Sequence, residues 1–211
     1  MKHDWKKAEK QYYLPRNRPE FVTVPAFGFF TLEGTGNPND SFFAEYIGVL
    51  YSLSYAVKMS LKKGLAPEGY FDYSVYPLEG IWDLKENARA EYSGSLDKNN
   101  LAFKLIMRQP DFTDSRFAFQ MIDFVRKHKP HDLLEKVRFE QITEGTCIQM
   151  LHTGSYDSEP DTFRQMEQYA EQTKSRRIGR SHHEIYLSDA RRVSPETLRT
   201  VLRFCVEAEH S

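Results

Sequence analysis

Apolar and polar positions along the chain switch between strand-like and helix-like spacing, and they do so twice in the same order. Val22 to Glu33 alternates loosely and is rich in aromatic and β-branched residues, which predicts a strand. Gly34, Gly36, Asn37, Pro38 and Asn39 form a turn, with Asp40 or Ser41 placed to cap a helix. Phe43, Tyr46, Ile47, Leu50, Ser54, Val57 and Leu61 then recur at helical spacing, and Gly64 stops them. Tyr70 to Glu79 and Leu101 to Met107 read as two further strands, and Pro110 ends the series.

A connecting helix is expected near Thr113 to Lys127, with Phe117, Met121, Phe124 and Val125 on one stripe and Arg126 and Lys127 complementing its dipole. The earlier order then returns. A strand is expected near Arg138 to His152, followed by a helix capped by Ser158, with Pro160 in its first turn and Phe163, Met166, Tyr169 and Ala170 on its buried face. Strands near His182 to Leu187 and Leu198 to Val206 complete it; Ser194-Pro195-Glu196 resembles a capped helical turn, yet Thr197 to Phe204 alternates better as a strand. The segments Gly28 to Gly36 and Thr146 to Tyr156 match in character, as do Val75 to Glu79 and Ile185 to Asp189.

The expected organisation is a single α+β domain: an N-terminal arm at 1–20, a β-α-β-β unit at 21–110, a connecting helix at 111–136 and a second β-α-β-β unit at 137–211. Two such units related by a pseudo-twofold axis are expected to form a concave antiparallel sheet with helices packed on it and a central groove, a favoured place for a ligand. In that arrangement Ser74 would be the counterpart of Glu184.

Composition narrows the function. A net charge of −1 over 211 residues gives no general pull toward nucleic acid or an anionic membrane. The start of the chain lacks the apolar stretch of a signal peptide, and no run approaches a membrane span, so a soluble cytoplasmic protein is expected. Two cysteines, Cys147 and Cys205, have no metal-ligand or redox spacing and read as small buried residues of a reducing compartment. The deviation is aromatic content, 14% of the chain, with 12 Tyr and 15 Phe.

The densest chemistry lies in Ser181 to Leu187. On a strand His182, Glu184 and Tyr186 share one face, and His183, Ile185 and Leu187 the other. The second set is more apolar and is assigned to the core, leaving Glu184 on the open face beside Tyr186. A carboxylate among aromatic walls attracts a cationic or electron-poor ligand, or acts as a general base on water. The competing reading is a solvent-facing strand glutamate. Adjacent His182 and His183 diverge, so no metal and no cofactor is expected. Neither cysteine has a neighbouring base, and no nucleophile elbow, phosphate loop or dinucleotide fingerprint occurs. The arginines at 176, 177, 180, 191 and 192 read as solvated loop charges. Tyr51, Tyr55, Tyr70, Tyr73, Trp82 and Tyr156 are candidates for pocket walls, set against the commoner role of buried tyrosines in the core.

The doubled element order, His152-Thr153-Gly154-Ser155-Tyr156 before a helix, and Glu184 to Asp189 followed by Leu198 to Arg203 together resemble the GyrI-like superfamily. Leu14-Pro15, Phe21 to Pro25, Leu32-Glu33-Gly34 and Pro77 to Trp82 resemble its stand-alone bacterial branch. The resemblance spans roughly residues 20–207 and implies an aromatic pocket around a buried glutamate, matched by Glu184, that contacts bulky, flat, often cationic compounds. It also implies, for some stand-alone members, hydrolysis of cyclopropanoid genotoxins and hence cellular protection. In that reading Glu184 activates water, a hydroxyl from Tyr70, Tyr73 or Tyr186 supports the ligand carbonyl, and Trp82 and Tyr156 hold the ring system. Tyr51, Tyr55 and His182 would complete the ligand contacts. No helix-turn-helix pattern is present, so direct DNA binding is not expected; the partner is a hydrophobic aromatic small molecule, with a homodimer left open. A non-catalytic drug-binding protein and a topoisomerase-interacting inhibitor are the alternatives.

Overall fold

The computed structural model describes residues 2–89 and 97–209. Its elements, in chain order, are the short helices α1 (Trp5–Ala8) and α2 (Lys10–Tyr13), strand β1 (Glu20–Thr35), helix α3 (Phe42–Lys58), strand β2 (Leu78–Leu84), the one-turn helix α4 (Glu86–Arg89) and strand β3 (Leu101–Arg108). Then come α5 (Ser115–His128), β4 (Arg138–Thr153), α6 (Glu159–Gln172) and the strands β5 (Ser175–Arg177), β6 (His182–Tyr186) and β7 (Arg199–Ala208). The chain forms two compact units: Met1–Asp4 with Phe27–Ile142, and Trp5–Ala26 with Thr143–Ser211. The boundary falls inside the long strands β1 and β4.

In the first unit β3 pairs antiparallel with β1 and with β2, from Phe29 opposite Arg108 to Thr35 opposite Ala102, and from Leu78 opposite Met107 to Leu84 opposite Leu101. Helix α3 buries Val49, Leu50, Leu53, Ser54, Ala56 and Val57; of the stripe expected from its spacing only Leu50, Ser54 and Val57 are buried, Phe43, Tyr46 and Ile47 are half-buried, and Leu61 lies exposed beyond the helix end. Helix α5 begins two residues later than the sequence suggested, at Ser115, because the Asp114 carboxylate caps it by accepting from the Phe117 amide at 2.7 Å. It buries Phe117, Ala118, Met121, Ile122 and Val125.

The expected strand at Tyr70 to Glu79 is displaced. Tyr70 to Pro77 stay out of the sheet, and β2 starts at Leu78, carrying Trp82 inside it rather than after it. The tyrosines at 70, 73 and 76 recur every third position, a spacing that one face of a strand cannot present. Their backbone is satisfied differently: the His3 amide donates to Asp72 O and the Ser74 amide to His3 O.

In the second unit β7 pairs antiparallel with β4, with β6 and, near its end, with β5. Helix α6 covers this sheet through Met166 and Ala170, which join Ile148, Met150, Leu202, Phe204 and Val206 in one apolar cluster, with Phe163 and Tyr169 at its margin. The α1 and α2 segment belongs here, with Trp5 and Tyr13 buried and their rings 5.1 Å apart. Before β7 both readings of the 194–204 stretch hold: Pro195–Thr197 form a helical turn and the strand starts at Arg199.

Each unit closes its turn the same way. The Gly36 amide donates to Leu101 O in one, and the Gly154 amide to Leu198 O in the other, both at 3.0 Å. Counting registers from these bonds, Gly80 opposite Leu105 matches Glu184 opposite Leu202, and Trp82 matches Tyr186. The counterpart of Glu184 is therefore Gly80, not Ser74, which lies outside any strand. No helix among the described residues is long and apolar enough to cross a membrane.

Candidate functional site

Strand β6 supplies the centre of the site. Its alternation puts His182, Glu184 and Tyr186 on one face, as their spacing requires. Glu184 is 8% exposed, so its face is covered rather than open, while Ile185 and His183 are buried on the other. Both carboxylate oxygens of Glu184 are held: His182 Nε2 lies 2.8 Å from Oε1, and the Tyr186 hydroxyl donates to Oε2 at 2.8 Å. The Phe163 ring sits edge-on to His182 at 4.8 Å, and Tyr156 sits edge-on to Tyr186 at 6.2 Å.

A second carboxyl completes the cluster. Glu159, in the first turn of α6, is 7% exposed. Burial, then the nearby negative charge of Glu184 and a hydrogen bond to it, hold the Glu159 carboxyl far above the usual carboxylate range. A hydrogen bond between two carboxyls needs a proton on one of them, and Glu159 keeps it at neutral pH. The pair thus carries a single negative charge. Tyr156 is pushed up to about 12 by burial and by the charges of Glu184, Glu159 and Asp189. Its ring remains 40% exposed, the accessible wall of the cluster.

The turn that presents Tyr156 is fastened by His152, whose Nδ1 lies 2.8 Å from Thr162 Oγ1 and whose Nε2 lies 3.1 Å from Ser155 O. Gly154 takes φ +141° here, and a Cβ at this position would fall 2.8 Å from Ser158 Oγ. Ser158 occupies the cap position, but its hydroxyl donates to Ser155 O at 2.7 Å instead of capping the helix. On the opposite face of β6, His183 Nδ1 lies 3.0 Å from Glu144 Oε1, and Arg203 Nη1 donates to Glu144 Oε2 at 2.7 Å. Arg203 also donates to Gln149 Oε1 and to Tyr12 O. Glu144 is thereby pulled down to about 2 against the burial that opposes its charge.

Of the residues singled out from sequence, Glu184, Tyr186, His182 and Tyr156 come together in this cluster. The other five belong to the first unit. Trp82 is buried against Phe43 and Phe103, with ring centroids 5.9 and 5.5 Å away. Tyr70 donates its hydroxyl to Lys58 O at 2.7 Å. Tyr73 is fully buried, 3.4 Å from Ser54 O, and burial raises its hydroxyl far beyond titration near neutral pH. Tyr51 and Tyr55 stack at 6.4 Å on α3, with Tyr55 exposed. Glu159 escaped the sequence reading because an acidic first-turn residue ordinarily faces water and serves the helix dipole. Nothing in its local spacing signals a buried partner 25 residues away.

A Listeria innocua protein described as a hydrolase is similar to the chain at 34% identity, with 98% of this chain and 100% of that one covered and a TM-score of 0.86. An uncharacterized conserved protein from the same organism is similar at 36% identity over the same shares, with a TM-score of 0.87. The C-terminal domain of EcmrR, at 15% identity over 90% of this chain and 98% of that one, shares the fold with a TM-score of 0.53. No curated protein matches the chain. The family model for the GyrI-like small molecule binding domain matches residues 18–206, nearly the whole sequence, and the chain belongs to that family.

Proposed function

We propose that the Glu184 cluster binds flat, electron-poor or cationic aromatic molecules and hydrolyses a strained electrophilic ring in them, that of a cyclopropanoid genotoxin. The observation that carries this reading is the buried carboxyl pair: one negative charge, fixed by Tyr186 and His182, beside a second carboxyl that retains its proton. A lone buried charge of this kind attracts a cation or a positive ring face, and Tyr156 offers an aromatic surface to stack on. Binding of small molecules is what the family relation supports. The hydrolase description of the Listeria relative supports turnover, in which Glu184 would be the base that accepts a proton from water.

The balanced reaction is addition of water. Oxygen bonds to the cyclopropane methylene, the strained carbon–carbon bond breaks, and its electron pair moves into the conjugated dienone, which becomes a phenol. Glu184 takes the proton from water. The carbonyl oxygen gains one, the donor in this reading being Tyr156, with Glu159 as a neighbouring reserve of protons. Tyr186 holds Glu184 in place. In the alternative, a drug-binding protein without turnover, the same charge serves affinity alone.

The test is incubation of the purified protein with a cyclopropylpyrroloindole-type compound, followed by mass spectrometry. Wild type is expected to form the water adduct over many turnovers, and Glu184→Gln to lower the rate by about 10²–10⁴-fold, the usual weight of a general base. Saturable binding without an adduct would leave the binding reading and remove hydrolysis. Absence of both would remove the site.

A further inference from the structure

The two cysteines that look isolated in sequence face each other. Cys147 on β4 lies directly opposite Cys205 on β7, with their Sγ atoms 3.6 Å apart, and both are free thiols. The Cys205 carbonyl accepts from the Ile178 amide, on the side of β7 away from β4. The two strands therefore meet here at a non-hydrogen-bonded position, the kind at which Cα atoms approach to about 4.5 Å. That separation lies within the span of roughly 4.4–6.8 Å that a disulfide bridges. Rotation about the side-chain bonds is enough to bring the sulfurs together; the backbone need not part.

The surroundings differentiate the two sulfurs. Cys147 donates to Cys205, which lowers Cys205 below its ordinary value against burial and the negative charge of Glu144, with smaller help from His183 and Arg203. The same bond, with burial, raises Cys147. Cys205 is also the partly exposed member, while Cys147 is buried. The sulfur favoured as thiolate thus belongs to the partly exposed residue of the pair.

We propose that Cys147 and Cys205 form a reversible dithiol–disulfide site oxidised by small hydroperoxides. The Cys205 thiolate attacks a peroxide oxygen, the O–O bond breaks, and hydroxide leaves, giving a sulfenic acid. Cys147 then attacks the Cys205 sulfur and expels hydroxide. The two hydroxides take up the two thiol protons as water. With hydrogen peroxide, two thiols and one peroxide become one disulfide and two waters.

A metal reading of the same place is weaker. Donor atoms of Glu144, Cys147 and Cys205 lie within 4.8 Å of one another. Both Glu144 oxygens, however, are already engaged by His183 and Arg203, and the Arg203 cation opposes a metal ion beside it.

The experiment uses the full chain, reduced, freed of reductant and treated with hydrogen peroxide. Intact-mass spectrometry is expected to show loss of two hydrogens without added oxygen. Peptide mapping is expected to link Cys147 to Cys205 within one chain, and dithiothreitol to reverse the link. Cys147→Ser should stop at a sulfenic acid on Cys205 that dimedone traps, and Cys205→Ser should give neither product. The wild-type linkage is readable even if a variant fails to fold. Peroxide treatment that leaves both thiols open to maleimide, or links them only between chains, overturns the proposal. So does one zinc ion bound per chain that shields both thiols when zinc alone is added.

Discussion

The two units share a register and fill it with opposite chemistry. Where the first has Gly34, Gly80, Trp82 and Phe103, the second has His152, Glu184, Tyr186 and Thr200. The first unit closes this end with rings. Phe42, Phe43 and Tyr46 from α3 all meet Phe103, at 6.3, 5.1 and 5.4 Å, and Phe43 also meets Trp82. Gly34 is obligatory there because a Cβ would fall 2.5 Å from the Phe103 ring. In the second unit Thr200 replaces that ring, His152 occupies the position of the glycine, and the first turn of the helix sends in Glu159 rather than phenylalanines. One frame thus yields an aromatic plug in one copy and a titratable cluster in the other. Removing a large side chain, not altering the backbone, is what makes room for chemistry.

The largest effect is expected on the charged side of the second unit. Arg203→Met leaves Glu144 buried with His183 as its remaining ionic partner and should cost about 3–5 kcal/mol in urea denaturation. The register counterpart of Arg203 is Ile106, apolar and fully buried, so the first unit has no cation at that position. A loss under about 1 kcal/mol would show that the buried charges are not interdependent.

Phe103→Ala tests the plug itself and should cost about 3–5 kcal/mol, because the four rings around it cannot collapse fully into the space. If the loss is small, the aromatic filling is not what distinguishes the first unit.

Glu159→Gln sharpens the contrast through pH. The folded chain holds the Glu159 proton more tightly than the unfolded chain does. Wild type therefore has this contribution in full in acid and loses stability as pH rises from the ordinary carboxylate value toward the raised one. The amide has no proton to lose and can still donate to Glu184. The variant should match wild type in acid and exceed it by about 1–3 kcal/mol near neutral pH. A difference that does not change with pH would mean that Glu159 is ionised in the folded protein.

The smallest effect belongs to Tyr186→Phe. It removes one of the bonds that hold Glu184 and should cost about 1.5 kcal/mol in stability. The matching residue in the plug, Trp82, presents a ring beside Gly80 rather than beside a carboxylate, so Trp82→Phe changes the aromatic filling and touches no carboxyl pair. Equal pH profiles for the two variants would erase the chemical distinction between the units.

Local pattern carried much of this into the sequence. The helices α3, α5 and α6 follow apolar stripes, and the turns before them follow Gly, Pro, Asn and Asp. The facing of His182, Glu184 and Tyr186 follows from the two-residue repeat of a strand. Register was not legible. It depends on which residues the sheet pairs, so the Tyr70 to Pro77 stretch passed for a strand and Ser74 for the partner of Glu184. Burial of polar groups was hidden for a related reason: Glu159 and Glu184, Glu144 and Arg203, and Cys147 and Cys205 are each separated by 25 to 59 residues, and only the fold brings them together.

The assignment of Trp5–Ala26 to the second unit has a consequence for how the protein is made. Arg203 Nη2 donates to Tyr12 O across 191 residues, so the ribosome releases the earliest part of this unit long before the part that completes it. At roughly 5–20 residues per second, that segment waits on the order of ten seconds or more, with Trp5 and Tyr13 lacking their final surroundings. Residues 27–142 form a body that can assemble meanwhile. During synthesis the second unit is therefore the last to become native, and its aromatic early segment stays open to chaperones and proteases until then.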